Sequence, residues 1–244
     1  MPDQVQQAIA LVDALLQEHR IDKGHGLDHA LAVLKHAERA LAVELEPSAD
    51  ERLAVRLAAL LHDVDDRKFF ASTDLDNARA ICAAVAPRQP DVQALALRMI
   101  ALVSCSKNGN TLVEPSWLLI PRWADRLEAL GAIGIYRCYV YTLHVGRPLL
   151  TDATELPASE QDLERLAPPE RFAQYVQLRG QVGSSSFVDH FYDKLLHIAV
   201  LPTRNAYLLR KAAERRRVMI NFLLRLDRAD PMRSIGPICC KYEA

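Results

Sequence analysis

Apolar residues recur along this chain at helical spacing. Val5, Ile9, Val12, Leu15 and Leu16 mark a first amphipathic helix, with Gly24 past its end. After the break at Gly24-His25-Gly26, Leu27, Leu31, Leu34, Ala37 and Leu41 mark a second, stopped near Pro47. Ser48 followed by Glu51 has the form of a capping box opening a third helix, whose apolar run over residues 53–61 ends at His62-Asp63. The same reasoning predicts helices over 74–85, closed by Pro87, and over 91–105, then a loop at Lys107-Asn108-Gly109-Asn110. Residues 117–143 are densely apolar, and small residues over 129–135 permit close helix packing. Residues 151–170, with Pro157, Pro168 and Pro169, read as the most loop-like stretch. Two more helices follow over 184–197 and 203–228, the last opened by Pro202.

No strand alternation and no repeat of fixed period is evident. The pattern predicts an all-α fold in a single domain over 1–230, comprising a core at about 20–145 and a helical extension over 150–230. Residues 231–244 read as a tail.

Composition narrows the classes of function. The 244 residues are ample for a real core, and 30 basic against 31 acidic side chains leave a formal net charge of −1. Nothing in that balance favours a nucleic-acid polymer or a membrane surface. The first residues lack the basic and apolar segments of a secretory signal, and no apolar run approaches a membrane span. Five cysteines without a C-x-x-C pair argue against a zinc ribbon or a disulfide framework. The expectation is a cytoplasmic protein with a small-molecule partner, with homo-oligomerisation left open.

Against this ordinary background, His62-Asp63 stands out as two metal-ligand types closing an apolar helix. Neighbouring helical side chains point about 100° apart, so both can reach one ion lying against the helix flank. Such a pair needs further ligands from other helices. His29, near the start of the second helix, and Asp125, an acid among apolar neighbours in Trp123-Ala124-Asp125-Arg126-Leu127, complete the order H…HD…D.

That ordered set resembles the HD superfamily of metal-dependent phosphohydrolases. The likeness is closest to a bacterial and fungal subgroup of stand-alone helical HD proteins, some of them nucleoside triphosphate pyrophosphohydrolases. It is carried by Gly24-His25-x3-His29, by Leu60-Leu61-His62-Asp63-Val64-x-Asp66-x-Lys68, by the block from Ala124 to Ile135, and by His190-Phe191-Tyr192-Asp193-Lys194-Leu195-Leu196. The resemblance implies His29, His62, Asp63 and Asp125 as ligands of one divalent metal ion. The mixed nitrogen and oxygen set suits manganese, iron, cobalt, nickel or zinc better than an all-oxygen magnesium site, and the ligands alone make no finer choice; manganese is the favoured expectation. A second metal is not expected, because Ser104-Cys105-Ser106-Lys107 stands where many HD proteins place another histidine.

By the same resemblance Asp66 is the candidate catalytic acid/base, with capping or pairing to a basic side chain as its alternative; Asp65 is its nearest rival. Lys68, Lys107, Arg126 and Lys194 are the cations expected to bind substrate phosphate. His25 reads either as a substrate contact or as a loop residue. His36, His144 and His197 read as ordinary helical histidines, and Ser184-Ser185-Ser186 as a helix N-cap. Arg215-Arg216-Arg217 spread over about 200° of a helix and read as a solvated face with Glu214 as partner, with one arginine reaching the active site as the alternative. The implied activity is nucleoside triphosphate pyrophosphohydrolysis. A 5′-nucleotidase or small phosphodiesterase, or a nucleotide-binding regulatory protein without turnover, are the alternatives.

Overall fold

The capping box at Ser48 is formed in both directions. The Glu51 carboxylate accepts the Ser48 amide at 2.8 Å, and the Ser48 hydroxyl accepts the Glu51 amide at 3.4 Å. Arg52 fastens the approach to this helix, donating to the carbonyls of Pro47 at 3.0 Å, Leu41 at 2.7 Å and Glu44. In this computed structural model the described residues are 3–21, 26–67, 69–72, 74–178 and 183–242.

The helices in chain order are α1 (Gln4–Glu18), α2 (Leu27–Leu41), α3 (Ala49–Leu61), α4 (Asp76–Val85), α5 (Pro90–Val103) and the short α6 (Cys105–Asn108). A 3₁₀ turn at Ser116–Leu119 leads into α7 (Ile120–Glu128), and α8 (Gly131–His144) follows. Beyond these lie α9 (Glu160–Leu166), α10 (Pro169–Gln177), and α11 (Phe187–His190), which continues through a π-helical turn at Phe191–Leu195 into α12 (Leu196–Ile198). The last two are α13 (Ala206–Arg225) and α14 (Met232–Tyr242). Among the described residues there is no strand, so the fold is all-α as the periodicity predicts. Nor is any of these helices long and apolar enough to cross a membrane.

The chain forms two compact units interleaved along the sequence. The first comprises Met1–Ser104, Leu112–Asp125 and Thr203–Leu208; the second comprises Cys105–Thr111, Arg126–Pro202 and Leu209–Ala244. In the first unit α3 is the hub, packed by α1, α2 and α5, while α4 packs on α1 and α5. Ala54, Val55, Leu57, Ala58, Ala59, Leu60 and Leu61 are all buried, which explains why α3 is apolar on nearly every face rather than along one stripe. Asn205 is fixed in this unit by donating to Ala40 O at 3.0 Å and to Glu44 Oε1 at 2.8 Å.

In the second unit α14 packs on α8, and the π-helical turn packs on α10, α11 and α12. Two sequence expectations are corrected here. Residues 231–244 are not a tail, because residues 232–242 form α14, which buries Ile235 and Cys239 despite Pro237 inside the helix. The loop-like stretch 151–170 contains α9, nucleated by a second capping box between Ser159 and Asp162. All five cysteines are free.

Candidate metal centre

His62 is the C-cap of α3, where the buried hub of the first unit reaches its end. Its Nδ1–H donates to the Ala59 carbonyl at 2.9 Å. That bond fixes the tautomer and leaves Nε2 with a lone pair, the arrangement that metal-ligating histidines use. His29 sits in the first turn of α2, its amide donating to Gly26 O at 3.1 Å. Its Nε2 lies 3.2 Å from His62 Nε2. Asp63 follows in the turn after α3, and Asp125 stands on α7.

The four side chains converge. Asp63 Oδ2 lies 3.6 Å from His29 Nε2 and 3.3 Å from His62 Nε2; Asp125 Oδ1 is 3.5 Å from each imidazole nitrogen. His29, His62 and Asp125 thus form a cluster able to hold a metal ion, their ligand atoms within 4.8 Å of one another. Donors held at ~2.0–2.1 Å in a tetrahedral shell sit roughly 3.3–3.4 Å apart, so these separations are the size a first-row divalent ion spans. The donor set fits a cation on chemical grounds too. Two imidazole lone pairs and two carboxylates facing one point repel each other unless positive charge sits between them.

The electrostatics say the same. Burial works against charge on His62, but Asp63 and Asp125 outweigh it and hold the imidazole well above its ordinary range. Burial likewise favours the neutral form of both carboxyls, yet His62 and His29 outweigh it and hold Asp63 and Asp125 well below the usual carboxylate range. The cluster therefore draws in a positive charge, as a proton or as a metal. Its two sides differ in access: the His29 and His62 side chains are 4% and 1% exposed, whereas those of Asp63 and Asp125 are 33% and 31% exposed. Solvent or ligand reaches the centre from the carboxylate side.

Asp65 and Asp66 are separated by the local fold. The helix does not continue past His62-Asp63. Instead the Asp66 amide donates to Asp63 O at 3.0 Å, an i to i+3 turn that stacks residue 66 over residue 63. Asp65 turns the other way, accepting the amides of Asn77 and Ala78 at the start of α4, each at 3.0 Å. Asn77 Nδ2 returns a bond to Val64 O at 2.7 Å. Sequence reasoning missed this tie, although the doubled acid at 65 and 66 was its visible trace.

The basic positions meet different fates. Lys68 and His25 lie outside the described residues. Lys107 is exposed on α6, and Lys194 is half-buried on the π-helical turn, its ammonium 5.4 Å from the Tyr175 ring centre. Arg126 is buried and its guanidinium holds a loop, donating to Asn110 Oδ1 at 2.6 Å and to Gly109 O. This corrects its expected place among the phosphate contacts: backbone and amide oxygens already occupy it. Lys107, Arg126 and Lys194 belong to the second unit; His29, His62, Asp63 and Asp125 belong to the first.

The arginine run also departs from expectation. Glu214 pairs with Lys211 at 2.6 Å, while Arg215 donates to Leu127 O and to Glu128 Oε1 at 2.9 Å. Ser186 is the N-cap of α11, accepting the Asp189 amide at 3.0 Å. His36, read as an ordinary histidine, bonds the Tyr207 hydroxyl at 2.6 Å inside the first unit.

No protein-family model matches the chain. It is 38% identical over 228 residues to the uncharacterized protein L803 of Acanthamoeba polyphaga mimivirus, covering 87% of this chain and 92% of that one. Its fold matches an HD-superfamily hydrolase from Bacillus thuringiensis with a TM-score of 0.60 and 25% identity, over 89% of this chain and 92% of the other. The chain belongs to the HD superfamily. Bacillus subtilis YpgQ, solved in complex with ADP, shares the fold with a TM-score of 0.63 and 20% identity over 93% of this chain and 95% of YpgQ.

Proposed function

We propose that this HD protein is a metal-dependent phosphohydrolase acting on nucleotides, with nucleoside triphosphate to monophosphate and pyrophosphate as its reaction. The observation that carries the reading is the convergence of two buried imidazoles and two part-exposed carboxylates on one point. The hydrolase from B. thuringiensis supports the reaction class, and ADP bound to YpgQ supports a nucleotide ligand.

His29, His62, Asp63 and Asp125 would hold one divalent ion, manganese first among the candidates, which when bound supplies Lewis acidity toward a phosphate oxygen. The remaining work falls to the chain. Asp66, stacked over Asp63 by its turn, takes a proton from the attacking water or returns one to the leaving group. Lys68, Lys107 and Lys194 are the cations assigned to the phosphates.

The test is incubation of purified protein with manganese and a nucleotide panel, with separate assays for pyrophosphate and orthophosphate. Pyrophosphate is the expected product. Orthophosphate alone moves the assignment to a nucleotidase, and bound metal with no turnover moves it to a nucleotide-binding protein.

A further inference from the structure

The second unit holds a cavity of about 650 Å³, and every residue that lines it belongs to that unit. Its volume falls within the roughly 300–1,000 Å³ of small-ligand sites. Helices α9, α10, α12 and α13 supply most of the walls. Leu163, Phe172, Leu196 and Ile220 make its buried apolar part. The Phe172 ring lies near-parallel to two neighbours, Tyr175 at 6.4 Å and 10°, and His197 at 5.3 Å and 17°. Of these three rings, Phe172 and His197 line the cavity, so it offers aromatic surface to a flat ligand.

The polar groups of the lining narrow the ligand. Arg216, on α13, is its cation, and the Arg216 Nε is buried with no hydrogen-bond partner among the described residues. A guanidinium carries donors only, so this nitrogen calls for an acceptor. Burial holds the His197 imidazole below its ordinary range, and its Nε2–H donates to Tyr192 O at 2.9 Å, so His197 adds no charge. Glu160 and Glu164 are exposed and stand one turn apart on α9. One more acid than base therefore lines the cavity, which disfavours a phosphate or carboxylate and favours a neutral ligand. Such a ligand has to offer acceptors to Arg216, donors to the carboxylates and a flat face to the rings. Guanine does all three: O6 and N7 accept side by side from an arginine, while N1–H and the 2-amino group donate. Adenine sets an amino donor beside N7 and so offers Arg216 a single acceptor.

We propose that this cavity binds a guanine base, with Arg216 donating to its O6/N7 edge, the α9 carboxylates accepting from N1–H and the 2-amino group, and the ring lying against His197 and Phe172. The choice of a nucleobase among flat neutral ligands rests on the nucleotide reading of the protein, but binding here requires neither metal nor turnover. Arg216 is then the residue that sets base preference, and the solvated face expected of the arginine run does not extend to it.

The experiment is calorimetric titration of the full chain with guanosine and with adenosine in the presence of chelator, so that neither metal nor phosphate contributes. Wild type is expected to bind guanosine at least 10-fold more tightly than adenosine. Arg216→Met, which keeps the apolar stem, should weaken guanosine binding roughly 10- to 100-fold, the worth of one bidentate arginine contact to guanine. The paired variant Glu160→Gln with Glu164→Gln alters exposed positions only; it should weaken guanosine binding roughly 10-fold, and it decides the matter if Arg216→Met fails to fold. Absence of guanosine binding, equal affinity for adenosine, or wild-type affinity in these variants overturns the site. Guanosine binding with the expected pattern but no nucleotide turnover with manganese leaves the site standing and overturns the phosphohydrolase reading. Nucleotide turnover by a chain that binds no guanosine does the reverse.

Discussion

Asp65 and Asn77 clasp the turn that follows α3 to the start of α4. The Asn77 amide donates to Asp65 Oδ1 at 3.0 Å, and the Asn77 side chain donates to the Val64 carbonyl at 2.7 Å. Because the Ala78 amide takes the other Asp65 oxygen, both carboxylate oxygens are engaged. Helix N-termini favour such an acceptor. The clasp holds the segment between Asp63 and Asp66.

Asp65→Asn should therefore cost more than Asn77→Ala. The amide NH₂ introduced at 65 would face a backbone N–H, leaving a donor without an acceptor, at about 1–3 kcal/mol. Asn77→Ala removes one hydrogen bond, about 1 kcal/mol. Urea denaturation of both variants checks this, and equal midpoints would count against the clasp.

His62→Ala should abolish metal binding, since it removes one of two nitrogen donors and leaves His29 beside two carboxylates. Metal analysis after dialysis against manganese should fall from near stoichiometric to background. Unchanged metal content would sink the ligand assignment.

The helices and the cluster of His29, His62 and Asp125 were legible for different reasons. Periodicity suffices for α1 to α5 because each presents apolar faces to a shared core, and Ser48 with Glu51 announces α3 locally. The box at Ser159 and Asp162 is equally local, but the prolines around it dominate the reading of residues 151–170. α14 could not be read because Gly236 and Pro237 oppose a helix, and only packing on α8 overrides them. His29, His62 and Asp125 are recognisable by type and order. The fates of Arg126 and Arg215 are not, because their partners, Gly109 and Asn110 in one case and Leu127 and Glu128 in the other, are chosen by tertiary structure.

Asp66→Asn separates chemistry from metal binding. If Asp66 moves the proton, turnover should fall by about 10²–10⁴-fold while metal content stays at the wild-type level. Asp66 is not a member of the four-ligand cluster, so loss of metal in this variant would reassign it to the metal site. Retained turnover would remove its catalytic role.

Gly131 links α7 to α8 with φ at +70°, and a Cβ there would meet Arg215 Cγ at 3.0 Å. Gly131→Ala combines left-handed strain, about 1–2 kcal/mol, with displacement of the side chain that pairs with Glu128. The melting temperature should fall by several degrees. Arg215→Met should recover none of that loss when combined with it, because the backbone strain persists and methionine keeps the Cβ and Cγ that the added methyl meets.

A metal at the His29, His62 and Asp125 cluster predicts a pH dependence whose sign differs between the metal-free and loaded protein. In the metal-free chain His62 is held above its ordinary range, so its contribution to stability is complete below about pH 6.5 and is lost as pH rises through the raised value. Asp63 and Asp125 are held below theirs, so their contribution is complete above about pH 4 and is lost as pH falls through the lowered values. The metal-free protein should therefore be most stable between about pH 4 and pH 6.5 and weaken on the alkaline side. A bound divalent ion replaces the His62 proton with a charge that alkali does not remove, and proton competition for the imidazole fades as pH rises. The gap in melting temperature between manganese-loaded and chelated protein should thus widen from pH 6 to pH 8. Thermal melts in paired buffers measure it, and a gap that stays constant or narrows over that range would show that the His62 proton and the metal do not share one site.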